Sequence, residues 1–121
     1  MNHRELLTQA YAAFNARDLD SALRTMHADV DWPNGMEGGR VQGHAGIRDY
    51  WTRQWSLIDP HVEPVEFSDQ PDGVTAVTVH QVVRSLEGAL LTDRQVEHAY
   101  WIEDGLIRSM EIREASDSAG N

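Results

Sequence analysis

The sequence predicts an α+β domain in which helices cover one face of a curved antiparallel sheet. Up to Pro60 apolar residues recur every three or four positions, and beyond it the period changes to two. The dipeptides Glu87-Gly88 and Asp104-Gly105 fall between the later apolar runs as tight turns, so those runs read as consecutive strands. Helices and strands in separate blocks point to an α+β arrangement. The space between the two layers is then either filled core or a pocket.

In order along the chain, Asn2 with Glu5 three residues later reads as a helix start. Leu7, Ala10, Tyr11 and Phe14 form its apolar stripe, giving a helix over residues 3 to 15. Asp18 caps a second, short helix with the stripe Leu19, Ala22, Leu23 and Met26, expected to stop near Ala28. The stretch "DVDWPNG", residues 29–35, follows with two acids, a tryptophan and an asparagine before a turn. By itself it is either a polar helix exit or one wall of a site. "GGRVQG" reads as a glycine-rich loop, and the overlapping "GMEGGR" has no strand-to-helix context for phosphate binding and reads as a mobile lid or rim. Ile47, Trp51, Trp55 and Ile58 define a third helix that Asp59-Pro60 ends. Four strands in a meander are then expected from "VEPVEFS", "VTAVTVHQVVRSLEG", "ALLTDRQVEHAYWIED" and "GLIRSMEIRE". A single domain over residues 1–115 is expected, with a frayed tail over 116–121.

Composition narrows the function classes. Twenty acidic against ten basic residues give a formal charge of -10, which works against nucleic acid and anionic membranes. With no cysteine there is no disulfide framework and no thiolate metal site. The N-terminal "MNHRELLTQAY" lacks the apolar run of a signal peptide or membrane span, so a cytoplasmic protein is expected.

Alternation gives each strand two faces. Val74, Ala76, Thr78, His80, Val82, Arg84 and Leu86 share one face of their strand, and Val77, Val79, Gln81 and Val83 the other. In the next strand Arg94, Val96, His98, Tyr100 and Ile102 oppose Gln95, Glu97, Ala99 and Trp101. Both faces are partly apolar, so both are expected to be covered, one by the helices and the outer one by a second copy in a homodimer. Alternation alone does not say which face is inside.

The stretches "YAAFNARDLDSALRTMHADV", "QGHAGIRDYW" and "VEHAYWIEDGLIRSMEIRE" resemble the nuclear transport factor 2-like superfamily, in particular its SnoaL-like branch, over residues 3 to about 114. The resemblance implies a cone-shaped fold, with three helices packed on the curved sheet and a pocket enclosed between them. That superfamily includes ketosteroid isomerases, polyketide cyclases, epoxide hydrolases, dehydratases and pure binding proteins, so the fold does not choose an activity. Carried over by position, the isomerase's general-base aspartate falls on Asn34 and its oxyanion-donating acid on His98. Its helix-one tyrosine falls on Ala10, one residue from Tyr11. All three are changed, which disfavours steroid isomerisation.

The resemblance also implies that His98 faces the pocket, with Arg94, Val96 and Tyr100 beside it. His80, Val82 and Arg84 are expected inside on the neighbouring strand, and Met110 and Ile112 on the last. The expected catalytic set is His98, His80, Arg84 and Tyr100. The expected substrate-binding set is Tyr11, Trp32, Asn34, Trp51, Trp55, Val82, Val96 and Met110. Phe14 and Met26, taken singly, are better explained as core filling. Each histidine is either a general acid or base or a buried ring satisfied by a Tyr or Arg. An inward Arg84 needs an acid, for which Asp31, Glu111 and Glu114 are candidates, or an anionic ligand. Asp31, by alternation with Trp32, faces away from the pocket. His80, His98 and His27 lack HExxH-like spacing, so no metal is expected, and no cofactor either. Three readings stay open: a cofactor-independent isomerase, cyclase or lyase moving protons on a small apolar carbonyl compound; a carrier or sensor; or a dimeric interaction module with a filled core.

Overall fold

A computed structural model describes residues 2–114, and the expected tail over 116–121 lies outside them. The first helix, α1 (His3–Asn15), starts with a capping box: the Glu5 amide donates to Asn2 Oδ1 at 2.8 Å and the Asn2 amide to Glu5 Oε1 at 3.2 Å. It buries Leu6, Leu7, Ala10 and Tyr11 against the sheet. Arg17 takes a left-handed φ of 61° to turn the chain, and Asp18 caps α2 (Leu19–Arg24) by accepting from the Ser21 amide at 3.2 Å. The second helix ends earlier than its apolar stripe suggested. Thr25 turns its hydroxyl back to the Ala22 carbonyl and accepts the Ile107 amide at 2.8 Å, so the chain is already joining the sheet at Met26.

The strands are β1 (Met26–Pro33), β2 (Arg40–Gln42), β3 (Ile58–Asp69), β4 (Thr75–Ser85), β5 (Leu90–Glu103) and β6 (Leu106–Glu114), with α3 (Gly43–Leu57) between β2 and β3. They form one curved, unclosed sheet in the order β2-β1-β6-β5-β4-β3. The expected four-strand meander is there, and β1 lies parallel to β6 at its end while β2 adds an antiparallel edge. The "GGRVQG" loop therefore contains a short strand. Its arginine ties the edge together: Arg40 donates to Asp31 Oδ2 at 2.8 Å and to the Met110 carbonyl at 2.6 Å.

At the opposite edge β3 includes Pro60 and Pro64, which an edge strand tolerates because one row of its amides has no ladder to join. Asn15 covers part of that row, donating to the Val62 carbonyl at 2.7 Å and accepting the Val62 amide at 3.0 Å. This fixes the end of α1 against β3. The core lies between the helices and the inner sheet face, with Leu7, Val30, Ile47, Val77, Val79 and Ile107 fully buried. No helix among the described residues is long and apolar enough to cross a membrane.

One irregularity decides the faces. Val83 pairs with Thr92, but Arg84 pairs with Leu90, leaving the exposed Leu91 as an extra residue in a β-bulge. Continued without it, the Arg84–Leu90 register would set Ala76 opposite His98. With it, Val77 lies opposite His98, Val79 opposite Val96 and Gln81 opposite Arg94. The inner face of β4 is thus Val77, Val79, Gln81 and Val83. His80, Val82 and Arg84 lie on the outer face, contrary to the expectation from sequence, because one inserted residue reverses every side chain beyond it.

Candidate ligand cavity

A cavity of about 90 Å³ lies between α1, α3 and the inner face of the sheet. Helix periodicity supplies one side: Ala10, Tyr11 and Phe14 from α1, and Tyr50, Trp51 and Gln54 from α3. The sheet supplies Met26, Trp32 and Pro33 from β1, Pro60 and Val62 from β3, Gln81 from β4, His98 and Tyr100 from β5, and Met110 and Ile112 from β6. No Lys, Arg, Asp or Glu lines it.

The walls are aromatic and mutually packed. Trp51 stands edge-on to Phe14 at 4.9 Å and to Trp32 at 5.7 Å between ring centroids, and Trp32 lies 6.2 Å from Tyr100. Such edge-to-face packing holds rings in fixed orientations. These walls can stack on a flat apolar molecule.

The polar centre is a connected set of three side chains. The Tyr100 hydroxyl donates to the Tyr11 hydroxyl at 2.7 Å, and Tyr11 Oη lies 2.8 Å from His98 Nδ1. Since Tyr11 accepts the Tyr100 proton, its own proton is free to go to Nδ1; His98 is then the Nε2–H tautomer. Nε2 has no hydrogen-bond partner among the described residues. Burial pushes the His98 pKa down to about 4, so the ring is neutral at neutral pH. Burial likewise raises both tyrosines, with the neighbouring Tyr100 adding to the rise at Tyr11. The set is therefore uncharged, and in this arrangement the donor it leaves free is the Nε2–H of His98.

A profile of the SnoaL-like domain matches residues 7–110. The chain belongs to the SnoaL-like family. No curated protein sequence matches it. Among solved structures it is similar to TerC co-crystallised with polyporic acid, at 29% identity over 96% of this chain and 93% of that one, with a TM-score of 0.79. An NTF2-like protein of unknown function from Burkholderia pseudomallei superposes with a TM-score of 0.81 at 23% identity, over 98% and 95% of the two chains. RV0760c from Mycobacterium tuberculosis, in complex with estradiol-17beta-hemisuccinate, gives 0.77 at 16% identity over 93% and 92%. The last two likenesses concern the fold alone.

In this SnoaL-like domain the cavity brings together Tyr11, Trp32, Trp51, His98, Tyr100 and Met110, as the sequence suggested, and Phe14 and Met26 also line it. Other expected site residues are elsewhere. His80 is half-exposed on the outer face, its Nε2 2.6 Å from Asp93 Oδ1. Arg84 is exposed and donates to the Gly88 carbonyl at 3.3 Å, so it needs neither a buried acid nor an anionic ligand. Val82 lies beside it with Asp59 and His61.

Asn34 is buried but committed to its own loop. Its Oδ1 accepts the amides of Met36 and Glu37 at 3.1 and 2.8 Å, and its Nδ2 donates to Glu37 Oε1 at 3.0 Å. An Asx-type turn has taken the amide that was expected to orient a substrate. Asp31 faces away from the cavity, paired with Arg40. Trp55 packs behind the wall against Phe14 and Trp51 with Arg17 over its ring, and Val96 is core.

Sequence reasoning passed over Tyr50, Gln54 and Gln81. Tyr50 and Gln54 continue the spacing of Ile47 and Trp51 on α3, and Gln81 alternates with Val77 and Val79, so the signal was present. Their polar type hid it. Gln54 and Gln81 have no side-chain hydrogen bond among the described residues. His80, His98 and His27 do not converge, because His80 and His98 lie on opposite faces. The ligand atoms of His27, Glu103 and Asp104 do lie within 4.8 Å of one another, outside the cavity. There His27 Nδ1 already accepts the Asp29 amide at 3.0 Å and Glu103 faces Arg108 at 3.5 Å.

Proposed function

We propose that this SnoaL-like protein binds a small, flat, uncharged carbonyl compound between its aromatic walls. The observation that carries this reading is a cavity with no formally charged side chain and an uncharged Tyr100–Tyr11–His98 centre. An ionised ligand would lose hydration there without gaining a counter-charge, whereas a carbonyl oxygen can accept from the Nε2–H of His98. Gln54 and Gln81 can hydrogen-bond a second polar group at the other side. At about 90 Å³ the cavity is well below the several hundred Å³ of drug-sized sites, so the ligand is of one or two rings, or side chains such as the half-exposed Ile112 swing aside for it.

Within this reading the protein is a cofactor-independent isomerase- or cyclase-type enzyme that moves protons on its ligand. The second reading, a non-catalytic carrier, is favoured by the low basicity of His98, which suits hydrogen bonding better than simple proton abstraction. The outer sheet face, with Val82 and Trp101 half-exposed among charged pairs, is the face for a homodimer, which sedimentation velocity tests.

The test of ligand class is a thermal-shift series with matched pairs, a bicyclic ketone against the same ring system bearing a carboxylate. A ligand that binds only the folded chain raises the melting temperature. Stabilisation by ketones and not by the acids is expected. Stabilisation by the acids alone, or by neither, would overturn the reading.

A further inference from the structure

We infer that Tyr100, Tyr11 and His98 form an uncharged proton relay that interconverts the keto and enol forms of a small planar ketone bound in the cavity. The inference rests on the ligand reading above and supplies the chemistry that the absence of a carboxylate base leaves open. All three side chains line the cavity, and their shortest contacts run 2.7 Å from Tyr100 to Tyr11 and 2.8 Å from Tyr11 to Nδ1, with the Tyr100 hydroxyl itself a longer 3.5 Å from Nδ1. A chain of two hydroxyls ending in an imidazole has two complete hydrogen-bond directions. In one, protons point from Tyr100 through Tyr11 to Nδ1, and Nε2 carries a hydrogen. In the other, Nδ1–H points to Tyr11, Tyr11 to Tyr100 and Tyr100 to the ligand, and Nε2 presents its lone pair.

The second arrangement is a base and an acid joined through one chain. Nε2 takes a proton from the ligand's α-carbon, breaking C–H as the C=C bond forms. Nδ1 passes its proton to Tyr11, Tyr11 its own to Tyr100, and Tyr100 its own to the carbonyl oxygen, which becomes the enol O–H. The protein is left in the first arrangement with every atom and charge balanced. Run backwards, the same chain takes the enol proton at Tyr100 and delivers the Nε2 hydrogen to carbon. Delivery to a different carbon of a conjugated enol isomerises the ligand and restores the starting protein. Nε2 and the Tyr100 hydroxyl touch the ligand, while Tyr11 is the link between them. A stepwise route would leave an imidazolium or a tyrosinate in an apolar cavity, and the relay avoids both.

The probe is α-deuterated 2-tetralone. Its washout rate is followed by proton NMR in H2O–D2O mixtures, and its binding by tryptophan fluorescence. Washout about 100-fold above buffer is expected, with a curved dependence on deuterium fraction because several protons move together. In Tyr11→Phe the relay is cut. Washout should fall about tenfold or more with binding retained, and the deuterium dependence should become linear, a change that a merely structural hydroxyl would not produce. Tyr100→Phe, which removes the donor to the ligand oxygen, should lower washout similarly if Tyr11→Phe does not fold. Wild-type washout at the buffer rate with binding intact overturns the relay and leaves the ligand reading standing; no binding overturns both. Undiminished washout in either folded variant also overturns the relay.

Discussion

His98 and His80 sit on neighbouring strands of one sheet and could hardly differ more. His98 is 8% exposed and locked between two tyrosines, whereas His80 is on the outer face and pairs with Asp93. Both were read as inward-facing catalytic candidates, and only one extra residue, Leu91, separates that reading from the structure. The contrast teaches that the identity of a side chain says little about its chemistry until the parity of its strand is known. The inner face can hold a neutral, hydrogen-bonding histidine because the aromatic wall excludes water from it. The outer face offers a solvent-exposed hydrogen bond between His80 and Asp93, which an exposed geometry makes nearly neutral in energy.

The largest expected effect comes from cutting into the inner layer. Trp51→Ala removes the ring that touches Phe14, Trp32 and Trp55, and should cost about 3–5 kcal/mol in chemical denaturation. Val82→Ala on the outer face should cost under about 1 kcal/mol if measured on the monomer. Equal losses at the two sites would break the contrast between the faces.

Next in size is a pH dependence belonging to His98. Its folded-state pKa is depressed from 6.5 to about 4, so between those values the unfolded chain binds the proton more readily. Stability should therefore fall as pH drops from 6.5 toward 4 and level off below, by roughly 3 kcal/mol in all. The His98→Gln variant should lose that component of the curve. An unchanged slope in the variant would place the dependence on other groups and weaken the account of a buried neutral ring.

The smallest effect sharpens the same comparison from outside. His80→Ala should change stability by no more than about 0.5 kcal/mol and leave ligand binding unaltered, as isothermal calorimetry can check. A clear loss of binding would return His80 to the site.

What could be read in the sequence follows from how local each signal is. The start of α1 was legible because a capping box is written in residues three apart, and α3 because Ile47, Trp51 and Trp55 keep one stripe, although Ile58, the fourth apolar position of that spacing, opens β3 instead. Period-two alternation marked β4, β5 and β6, and the resemblance set His98 inside. β2 was missed since three residues carry too little pattern to stand out from the glycines around them. The bulge was missed for a different reason. Leu90 and Leu91 are both exposed leucines, and which of them pairs with Arg84 is fixed by the fit of Val77, Val79 and Val96 in the core, far along the strand. Asn34 is a similar case: its position was read from alternation, but its side chain was taken by the amides that follow it. Gln54 and Gln81 were skipped because a glutamine on an apolar stripe looks like a surface residue until a cavity is seen in front of it.

The most direct test of the account is a histidine NMR titration with 2-tetralone, following the ring signals of His98 and His80 in one sample. His98 should be neutral and in the Nε2–H form in the free protein, and its signals should move in proportion to bound ligand while those of His80 stay fixed. Ligand-dependent shifts at His80 with His98 unmoved would contradict it, as would a His98 ring that titrates near its ordinary value of 6.5.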